Sequence, residues 1–485
     1  MIRTFALSSA LCALLLAGCT VGPNFERPAP PAANAYVAQQ AVNGAPGAEL
    51  GQGPALRWWE AFGSSQLDAL VDRAIANNYS LAASDATLEK ARQRIAAVAG
   101  TKLPQVDATA RAEREEVNLS SFGFDPSAFG ITQNPIFNLY TVGGGVSYDL
   151  DLFGGKRRQV EQAAAQAEAQ LHQTEAAHLT IAGRVVNQVL TIAAIRGRID
   201  AANAVLDEDR RNVELTGTRK SAGKGTEVDV LDAQSQLAED QALLPPLEQQ
   251  LAEARNMLAI LLGVAPADLG PTDFALTDFT LPADVPVTLP SELVHKRPDI
   301  LQAEADLHAA TAGVGVATAK LYPDITLGAS ITQSAPSIGS ILDSSFRAFD
   351  IFGGLTAPIF HGGTLKAEKR AAEADARASA ATYKETVIEA FGQVADLLDA
   401  LGNDQQAVTA QQNTATVAER QRDLSQRAYQ IGSQGILQVI DANRTYQRAR
   451  VNLVDARQRQ FLDVARLYVA TAGGWTGPAS EAKQD

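Results

Sequence analysis

The residue with the clearest chemical context is Cys19, which ends an amino-terminal segment typical of an export signal. Arg3 supplies a positive charge, and Ala6 to Leu16 form an apolar core that is too short to span a bilayer. The sequence LAGC follows at Leu16–Cys19, and a small-residue cleavage site that ends in cysteine is the bacterial lipobox. We therefore expect the mature chain to begin at Cys19, with acyl groups on its thiol and amine.

Two neighbouring residues refine this expectation. Thr20 stands where an aspartate would signal retention in the inner membrane of many Gram-negative bacteria, so the outer membrane is favoured. Cys12 would leave with the signal, and no other cysteine remains for an internal disulfide. The alternative is an ordinary secretory signal with an incidental cysteine.

Catalytic chemistry has no matching pattern in the sequence. No HExxH, G-x-S-x-G, Walker or dinucleotide-binding motif occurs. His172 and His178, two of the five histidines, are six residues apart and would face different sides of a helix. A net charge of −14 and a pI near 5.0 argue against a nucleic-acid partner. We expect no catalytic residues, no metal site and no cofactor.

The sequence indicates a tandem duplication. AGKGTEVDVLDA at Ala222–Ala233 returns as IGSQGILQVIDA at Ile431–Ala442, with Gly223 and Gly432 209 residues apart (432 − 223). In each half a helical segment leads to alternating strands, a very long helix, a glycine turn and a returning helix. The long helices and the strands are therefore the elements that must position any functional residue.

The first long helix is predicted from about Gly155 to Arg219. Apolar or small residues recur there at spacings of three and four, as in a coiled coil, and no proline interrupts them. About 65 helical residues would reach roughly 100 Å, which does not fit inside a compact globule. The return helix of the first half carries Pro245–Pro246, which should kink it.

Each half also carries a pair of predicted strands. Tyr140 to Leu152 and Ile325 to Ile331 alternate apolar with polar residues, and Val106–Ala112 and Phe346–Ala357 are weaker strands. An apolar-out, polar-in strand of about ten residues fits an outer-membrane barrel. Four strands leave open sheet edges in lipid, and the smallest bacterial barrels need about eight strands. Copies of the chain must therefore pool their strands, and three copies leave clear room for a channel.

In combination these features resemble the TolC/OprM family of outer-membrane efflux proteins, in its lipoprotein, NodT-like branch. The resemblance rests on RWWEAFGSSQLDALVDRAIANNYSL at Arg57–Leu81, RPD at Arg297–Asp299 and the doubled glycine turn before V-[LI]-D-A, and it covers nearly the whole chain. It implies an α+β membrane protein: a trimeric 12-stranded β-barrel, with four strands per chain, continuous with a long α-helical coiled-coil barrel.

The same resemblance implies a function and partners. The chain would be a lipid-anchored channel subunit in the cell outer membrane, with its helical part in the periplasm, passively conducting drugs or other small amphiphiles. Its partners would be two further copies, a periplasmic adaptor (membrane fusion) protein, an inner-membrane RND-type pump and outer-membrane lipid. A duct for type I protein secretion and a lipid-anchored coiled-coil scaffold are the alternatives.

By this resemblance the two glycine turns, at Ala222–Thr226 and Ile431–Gly435, lie at the periplasmic tip and face the adaptor. The residues given this role are Gly223, Gly225, Thr226, Gly432 and Gly435. Glycine is also what a tight helical reversal needs by itself, and both roles can hold.

The family's closing constriction is carried over onto Leu437, Asp441 and Arg444, which share one helix face. Three copies of Asp441 around an axis would repel one another unless protonated, paired with Arg444 or bridged by a cation. A solvated helical salt bridge is the alternative. Gln438 and Gln434 replace a second acidic ring and an arginine of some relatives, which predicts a weaker or less cation-dependent latch.

Two further assignments follow. Tyr429 matches a tyrosine that bonds across helices in relatives, and Asp229 is its expected partner.

The expected segments are a signal peptide (1–18), a lipidated segment (19–60), a first repeat (61–263; strands about 104–113 and 138–152, helices about 155–219 and 228–262), a linker (264–290), a second repeat (291–473; strands about 323–333 and 346–358, helices about 365–430 and 437–472) and a tail (474–485).

Overall fold

The computed structural model describes residues 20–29, 35–36, 48–51, 53–118, 130 and 136–473. Its helices are α1 (Ser65–Asn77), α2 (Tyr79–Gly100), α3 (Gly155–Ser221), α4 (Glu227–Gln241), α5 (Leu244–Leu261), α6 (Pro290–Leu293), α7 (Pro298–Ala319), α8 (Thr364–Gln430) and α9 (Ile436–Thr471). Its strands are β1 (Ala48–Leu50), β2 (Gln105–Glu116), β3 (Ile136–Leu150), β4 (Val285–Val287), β5 (Asp324–Ala335) and β6 (Arg347–Thr356).

The two long helices are copies of one another in length and position. α3 and α8 each contain 67 residues, and their first residues have the same 209-residue offset (364 − 155) as the glycines of the two turns. An apolar stretch of α3 is long enough to cross a membrane, but it is 61% buried, as expected for the core helix of a bundle. Each long helix ends where a left-handed glycine reverses the chain.

The return helix of the first repeat differs from the single kinked helix that the sequence suggested. It is broken into α4 and α5 at Ala242 and Leu243, and Pro245 and Pro246 lie in the first turn of α5. Proline lacks an amide hydrogen, so the carbonyls one turn earlier lose their helical donors. The helix therefore ends at Gln241, before the prolines, and starts again around them.

One unit of the fold contains a four-stranded sheet. Its described parts are residues 20–27, 89–118, 130, 136–168 and 304–381, and its strands are antiparallel in the order β2-β3-β5-β6. The register forms rows across the sheet. Val106, Val146, Ala329 and Ile351 make one row, and Asp107, Gly145, Ser330 and Asp350 make the next.

The two rows point to opposite faces because strand side chains alternate. The first row is apolar throughout and the second is polar or glycine, so the sheet has one apolar and one polar face at this level. β2 is exposed along its whole length, and most of β6 is exposed. Gly328 provides room on the polar-row side, since an added Cβ there would lie 2.4 Å from the Phe352 ring.

The other unit holds the apolar core. Its described parts lie within residues 28–88, 169–303 and 382–473. Trp58 stacks on Tyr468, with ring centroids 5.6 Å apart, and Trp59 and Phe62 are also buried there. Arg57 makes a two-pronged ion pair with Asp72, at 2.6 and 2.9 Å. The RWWEAF sequence therefore anchors α1 to the helical core.

The RPD sequence has a comparable structural role within this unit. The Arg297 guanidinium donates to the Asp299 carboxylate at 2.8 and 3.0 Å and to the Ala470 carbonyl at 3.2 Å. It also donates to the Gln393 side chain at 2.7 Å. Arg297 therefore ties the start of α7 to α8 and to the end of α9.

Candidate functional site

The two glycine turns have the same backbone geometry. In the first, Gly223 has φ +68°, and the Lys224 amide donates to the Arg219 carbonyl at 2.8 Å. In the second, Gly432 has φ +80°, and the Ser433 amide donates to the Ala428 carbonyl at 2.9 Å. This is the Schellman pattern, in which a left-handed residue lets the chain satisfy the last carbonyls of a helix.

The turns differ in how the next helix begins. The Thr226 side chain accepts from the Asp229 amide, and the Asp229 carboxylate accepts from the Thr226 amide at 2.7 Å, which is a capping box. These hydrogen bonds hold the pKa of Asp229 below its ordinary value. Gly435, the equivalent residue of the second turn, makes no side-chain cap. The start of α9 therefore lacks a stabilising contact that α4 has.

The turn residues given an adaptor-facing role lie at the surface. Gly223 and Thr226 are exposed, as are Gly432 and Gly435, while Gly225 is half-buried. Between the two glycines of the second turn lie polar residues, and before them Ile431 is 82% exposed.

The three residues assigned to the constriction lie on the outer face of α9. Leu437 is 60% exposed, and Asp441 and Arg444 are exposed too. The opposite face of α9 is buried against the bundle through Ile436 and Val439. Leu437 therefore projects away from the core of its own chain.

The charged members of this set pair differently from the sequence expectation. Arg444 forms an ion pair with Glu239 of α4, and not with Asp441 on its own helix. In the described part of the chain, the Asp441 carboxylate has no ion-pair partner. The ionic contact therefore joins the two return helices of the two repeats, and the acidic group next to it stays available.

Tyr429 and Asp229 are not hydrogen-bonded to each other in this structure. The Asp229 carboxylate is occupied by the Thr226 amide and hydroxyl. Tyr429 is buried against Arg219, whose guanidinium lies 4.6 Å from the ring centroid and donates to the Tyr429 carbonyl at 2.8 Å. Arg219 is thus the cross-helix partner of Tyr429, and no motif in the sequence singled it out.

Cys19 lies outside the described residues, but Thr20 and Val21, which follow it, are described. The Val21 amide donates to the Phe153 carbonyl at 3.1 Å. Thr20 packs on Gly154, where an added Cβ would lie 2.8 Å from the Thr20 Cα atom. Thr20 and Val21 are therefore held against the turn between β3 and α3, where the strands end.

No group of three or more histidine, cysteine or acidic side chains in the described ranges could hold a metal ion. The described part of the site consists of the two glycine turns, the outward-facing surface of α9 and an ion pair between α4 and α9.

Comparison with known proteins gives the family. The model of the outer membrane efflux protein family matches residues 70–264 and 289–473. The pyoverdine export outer membrane protein OpmQ of Pseudomonas aeruginosa is 32% identical over 420 residues, covering 86% of this chain and 87% of OpmQ. The antibiotic efflux pump outer membrane protein ArpC of Pseudomonas putida is 28% identical over 486 residues, covering 99% of this chain and 97% of ArpC.

Solved structures agree with these relatives. The outer-membrane channel OprN matches with a TM-score of 0.83 and 28% identity, covering 95% of this chain and 100% of the OprN chain. The predicted fold class, four strands per chain in a trimeric barrel continued by long helices, is confirmed by such channels. The predicted role in outer-membrane efflux is confirmed as well. The chain belongs to the outer membrane efflux protein family and is an outer-membrane efflux channel.

Proposed function

We propose that the chain is the lipid-anchored outer-membrane channel of a tripartite efflux system, joined by a periplasmic adaptor to an inner-membrane pump. The observation that carries this proposal is the open four-stranded sheet with one apolar and one polar row in register. The channel is a passive conduit without a catalytic role, and the pump supplies the energy. The two repeats, residues 61–263 and 291–473, are proposed as its structural halves.

Three copies complete the barrel in this proposal. β2 and β6 are the edge strands of the sheet, and lipid offers no hydrogen bonds to an open edge. Pairing β2 of one copy with β6 of the next satisfies both edges. The row that contains Val146 and Ile351 then faces lipid, and the row that contains Ser330 and Asp350 lines the lumen.

The closure is proposed to lie on the outer face of α9. Leu437 would form an apolar ring around the threefold axis, and Asp441 an acidic ring one turn further on. The Arg444–Glu239 ion pair fastens α9 to α4 and so holds this face in place. An exposed ion pair is individually weak, which suits a contact that an adaptor must be able to replace.

Conductance in planar bilayers tests this closure. We expect the double substitution Asp441→Ala and Arg444→Ala to increase the resting current, and Glu239→Gln to increase it as well, because each loosens α9. Arg457→Ala is the matched control, since Arg457 lies on the same helix and bonds Gln412 at 2.8 Å instead. A resting current that stays at the wild-type value in both test variants contradicts the proposed closure.

The two glycine turns are proposed to contact the adaptor. The mature chain has no cysteine other than Cys19, so a single added cysteine can be labelled cleanly. Ile431→Cys should crosslink to the adaptor in cells that express the whole system. Leu342→Cys, an equally exposed position in the loop between β5 and β6, should not. Equal crosslinking at both positions would remove the turn from the interface.

The lipid anchor is proposed to sit at Cys19. Thr20 and Val21 dock beside the turn after β3, so an acyl group on the preceding residue would start close to where the strands leave the membrane. Cells given labelled palmitate should incorporate it into the wild-type chain and not into Cys19→Ser. Label in the variant would place the lipid elsewhere.

The cargo is proposed to be small amphiphiles. OpmQ is named for pyoverdine export and ArpC for antibiotic efflux, and both compound classes are small molecules. Deletion of the gene should raise susceptibility to amphiphilic antibiotics or lower pyoverdine release. Loss of a secreted protein, with neither of those changes, would favour type I secretion.

A further inference from the structure

A cluster of polar side chains is buried between α3, α4 and α9, close to the proposed closure. Asp209 is 1% exposed, Asp240 is 5% exposed and Asn443 is 2% exposed. The Asp240 carboxyl and the Asn443 amide both face Asp209, and Gln236 donates to Asp240 at 2.7 Å. Each of the three helices therefore contributes a polar group to one buried point.

The hydrogen bonds of this cluster are incomplete. Asp209 Oδ2 and both polar side-chain atoms of Asn443 are buried without a hydrogen-bond partner among the described residues. A buried carboxylate that lacks donors is strongly destabilised in its charged form. Asp240, which accepts from Gln236, places a second carboxyl beside Asp209, so a proton on Asp209 removes both the cost of burying its charge and the repulsion between the two groups.

Neither carboxylate has a basic partner in the described part of the chain. Glu208, next to Asp209 on α3, adds negative charge and is itself bound by Arg211 and by Gln426 of α8.

From α4, Glu239 precedes Asp240 in the chain, and from α9, Arg444 follows Asn443. These two charged residues bond each other and not the cluster. The groups that face Asp209 are therefore acidic or neutral from every helix. Burial, and then the neighbouring Asp240, raises the pKa of Asp209 to about 7.

The second repeat provides an internal comparison. The 209-residue offset places Ala418 at the position of Asp209 and Ala449 at the position of Asp240. Ala418 and Ala449 are both buried in one apolar cluster with Tyr446 and Leu453. The equivalent helices of the second repeat, α8 and α9, therefore pack with alanine at both of these positions, so packing alone does not require the two aspartates.

We propose that Asp209 and Asp240 form a proton-binding site, in which one shared proton fastens α4 to α3 beside the tip. With the proton bound, the carboxylic acid of one residue donates to the carboxylate of the other. When the proton leaves to solvent, two buried negative charges face each other and the packing of α4 loosens. Binding of the proton does not depend on the proposed closure; its effect on conductance does.

The direction of the pH effect follows from linkage. The folded chain holds this proton over a pH range in which the unfolded chain has already released it, since the ordinary pKa of aspartate is about 3.9. The stabilisation is therefore fully present in acid and is lost as the pH rises through about 7. Acid should tighten the tip and mild alkali should loosen it.

Hydrogen exchange of the α4 amides, corrected for intrinsic rates, tests the proposal in the assembled protein. Between about pH 6 and about pH 8, wild-type protection of α4 should fall roughly tenfold. Asp209→Asn keeps a donor to Asp240, so its protection should stay high at both pH values. The double substitution Asp209→Ala and Asp240→Ala copies the second repeat and should also lose the pH dependence. Glu214→Gln, at an exposed acid of α3, should behave as the wild type.

The remaining outcomes separate the possibilities. Wild-type protection that does not change with pH, or a pH response that survives in both test variants, overturns the proton site. Protection at about pH 8 that rises with added calcium and falls with chelator shows a cation in place of the proton, which also overturns it. A pH response in exchange with a pH-independent resting current keeps the proton site and rejects the proposed closure.

Discussion

At the scale of single residues, the contacts that matter at the tip run between helices. The spacing of Asp441 and Arg444 along one helix suggested a local pair, yet Arg444 reaches across to Glu239. Likewise, the Tyr429 carbonyl accepts a hydrogen bond from Arg219, and Tyr429 makes no hydrogen bond with Asp229, the partner that the resemblance suggested. Arginine side chains are long and carry several donors, so they can bond residues on neighbouring helices. Spacing along one helix does not identify such partners.

Removing the Arg219 side chain should loosen the second turn. Arg219→Ala deletes a stacked cation and a hydrogen bond to the Tyr429 carbonyl, together worth about 1–2 kcal/mol. Exchange of the amides around Gly432 should become roughly tenfold faster. Arg210→Ala, which only breaks a surface pair with Asp207, is the control and should leave that exchange unchanged. Equal rates in the two variants would contradict the role of Arg219.

The capping difference between the turns gives a second prediction. Thr226→Ala removes the cap of α4 and should lower its local stability by about 1 kcal/mol, seen as faster exchange after the first turn. Gly435→Ser should slow exchange after the second turn, because φ −85° at Gly435 suits any residue and the serine can supply the missing cap. Thr226→Ser, which keeps a hydroxyl, should stay close to the wild type.

At the scale of elements, the sequence was most informative where periodicity is long. Coiled-coil spacing and the absence of proline placed α3 and α8, because a helix of this length needs a continuous apolar seam. Pro245–Pro246 indicated a kink in the return helix, but the break lies before the prolines, because the carbonyls one turn earlier lose their helical donors. Buried acids such as Asp209 could not be found from the sequence, since an aspartate on a charged helix is usually exposed.

The break between α4 and α5 can be repaired. Pro245→Ala with Pro246→Ala restores two amide donors, so the two segments should join into one continuous helix. The new amides at 245 and 246 should exchange slowly, as in a helix interior. Pro266→Ala, in a short turn after α5, is the control and should not change exchange in this region. Fast exchange at both new amides would mean that packing, and not proline, sets the break.

At the scale of the whole molecule, the sheet explains why one chain is insufficient. Alternation in the sequence identified strands with one apolar face, and counting them required copies to pool. The pairing of β3 with β5 joins the two halves of the duplication in one sheet. That pairing follows from the tertiary fold, because strands far apart in sequence carry no local signal for register.

A positive charge should reduce trimer formation when it is placed on one face of β6 and not when it is placed on the other. Ile351→Lys puts a cation in the apolar row, which costs about 2–4 kcal/mol near the middle of a bilayer. Asp350→Lys changes the neighbouring residue, in the polar row, and should be tolerated. The amount of trimer, measured on gels of detergent extracts run without heating, should decrease strongly for the first variant alone. Comparable loss for both would mean that the faces are assigned wrongly.

The unpaired edges of β2 and β6 also make the formation of channels depend on the concentration of the chain. The backbone groups at the edges of a single sheet have no hydrogen-bonding partner in lipid, so insertion requires three chains to come together. The yield of channels should therefore rise steeply with the concentration of the chain. A chain released into the periplasm searches a volume, whereas a tethered chain searches a surface, which raises the effective concentration of its copies. Tethering at the lipobox would thus act as a recruitment device before the barrel exists.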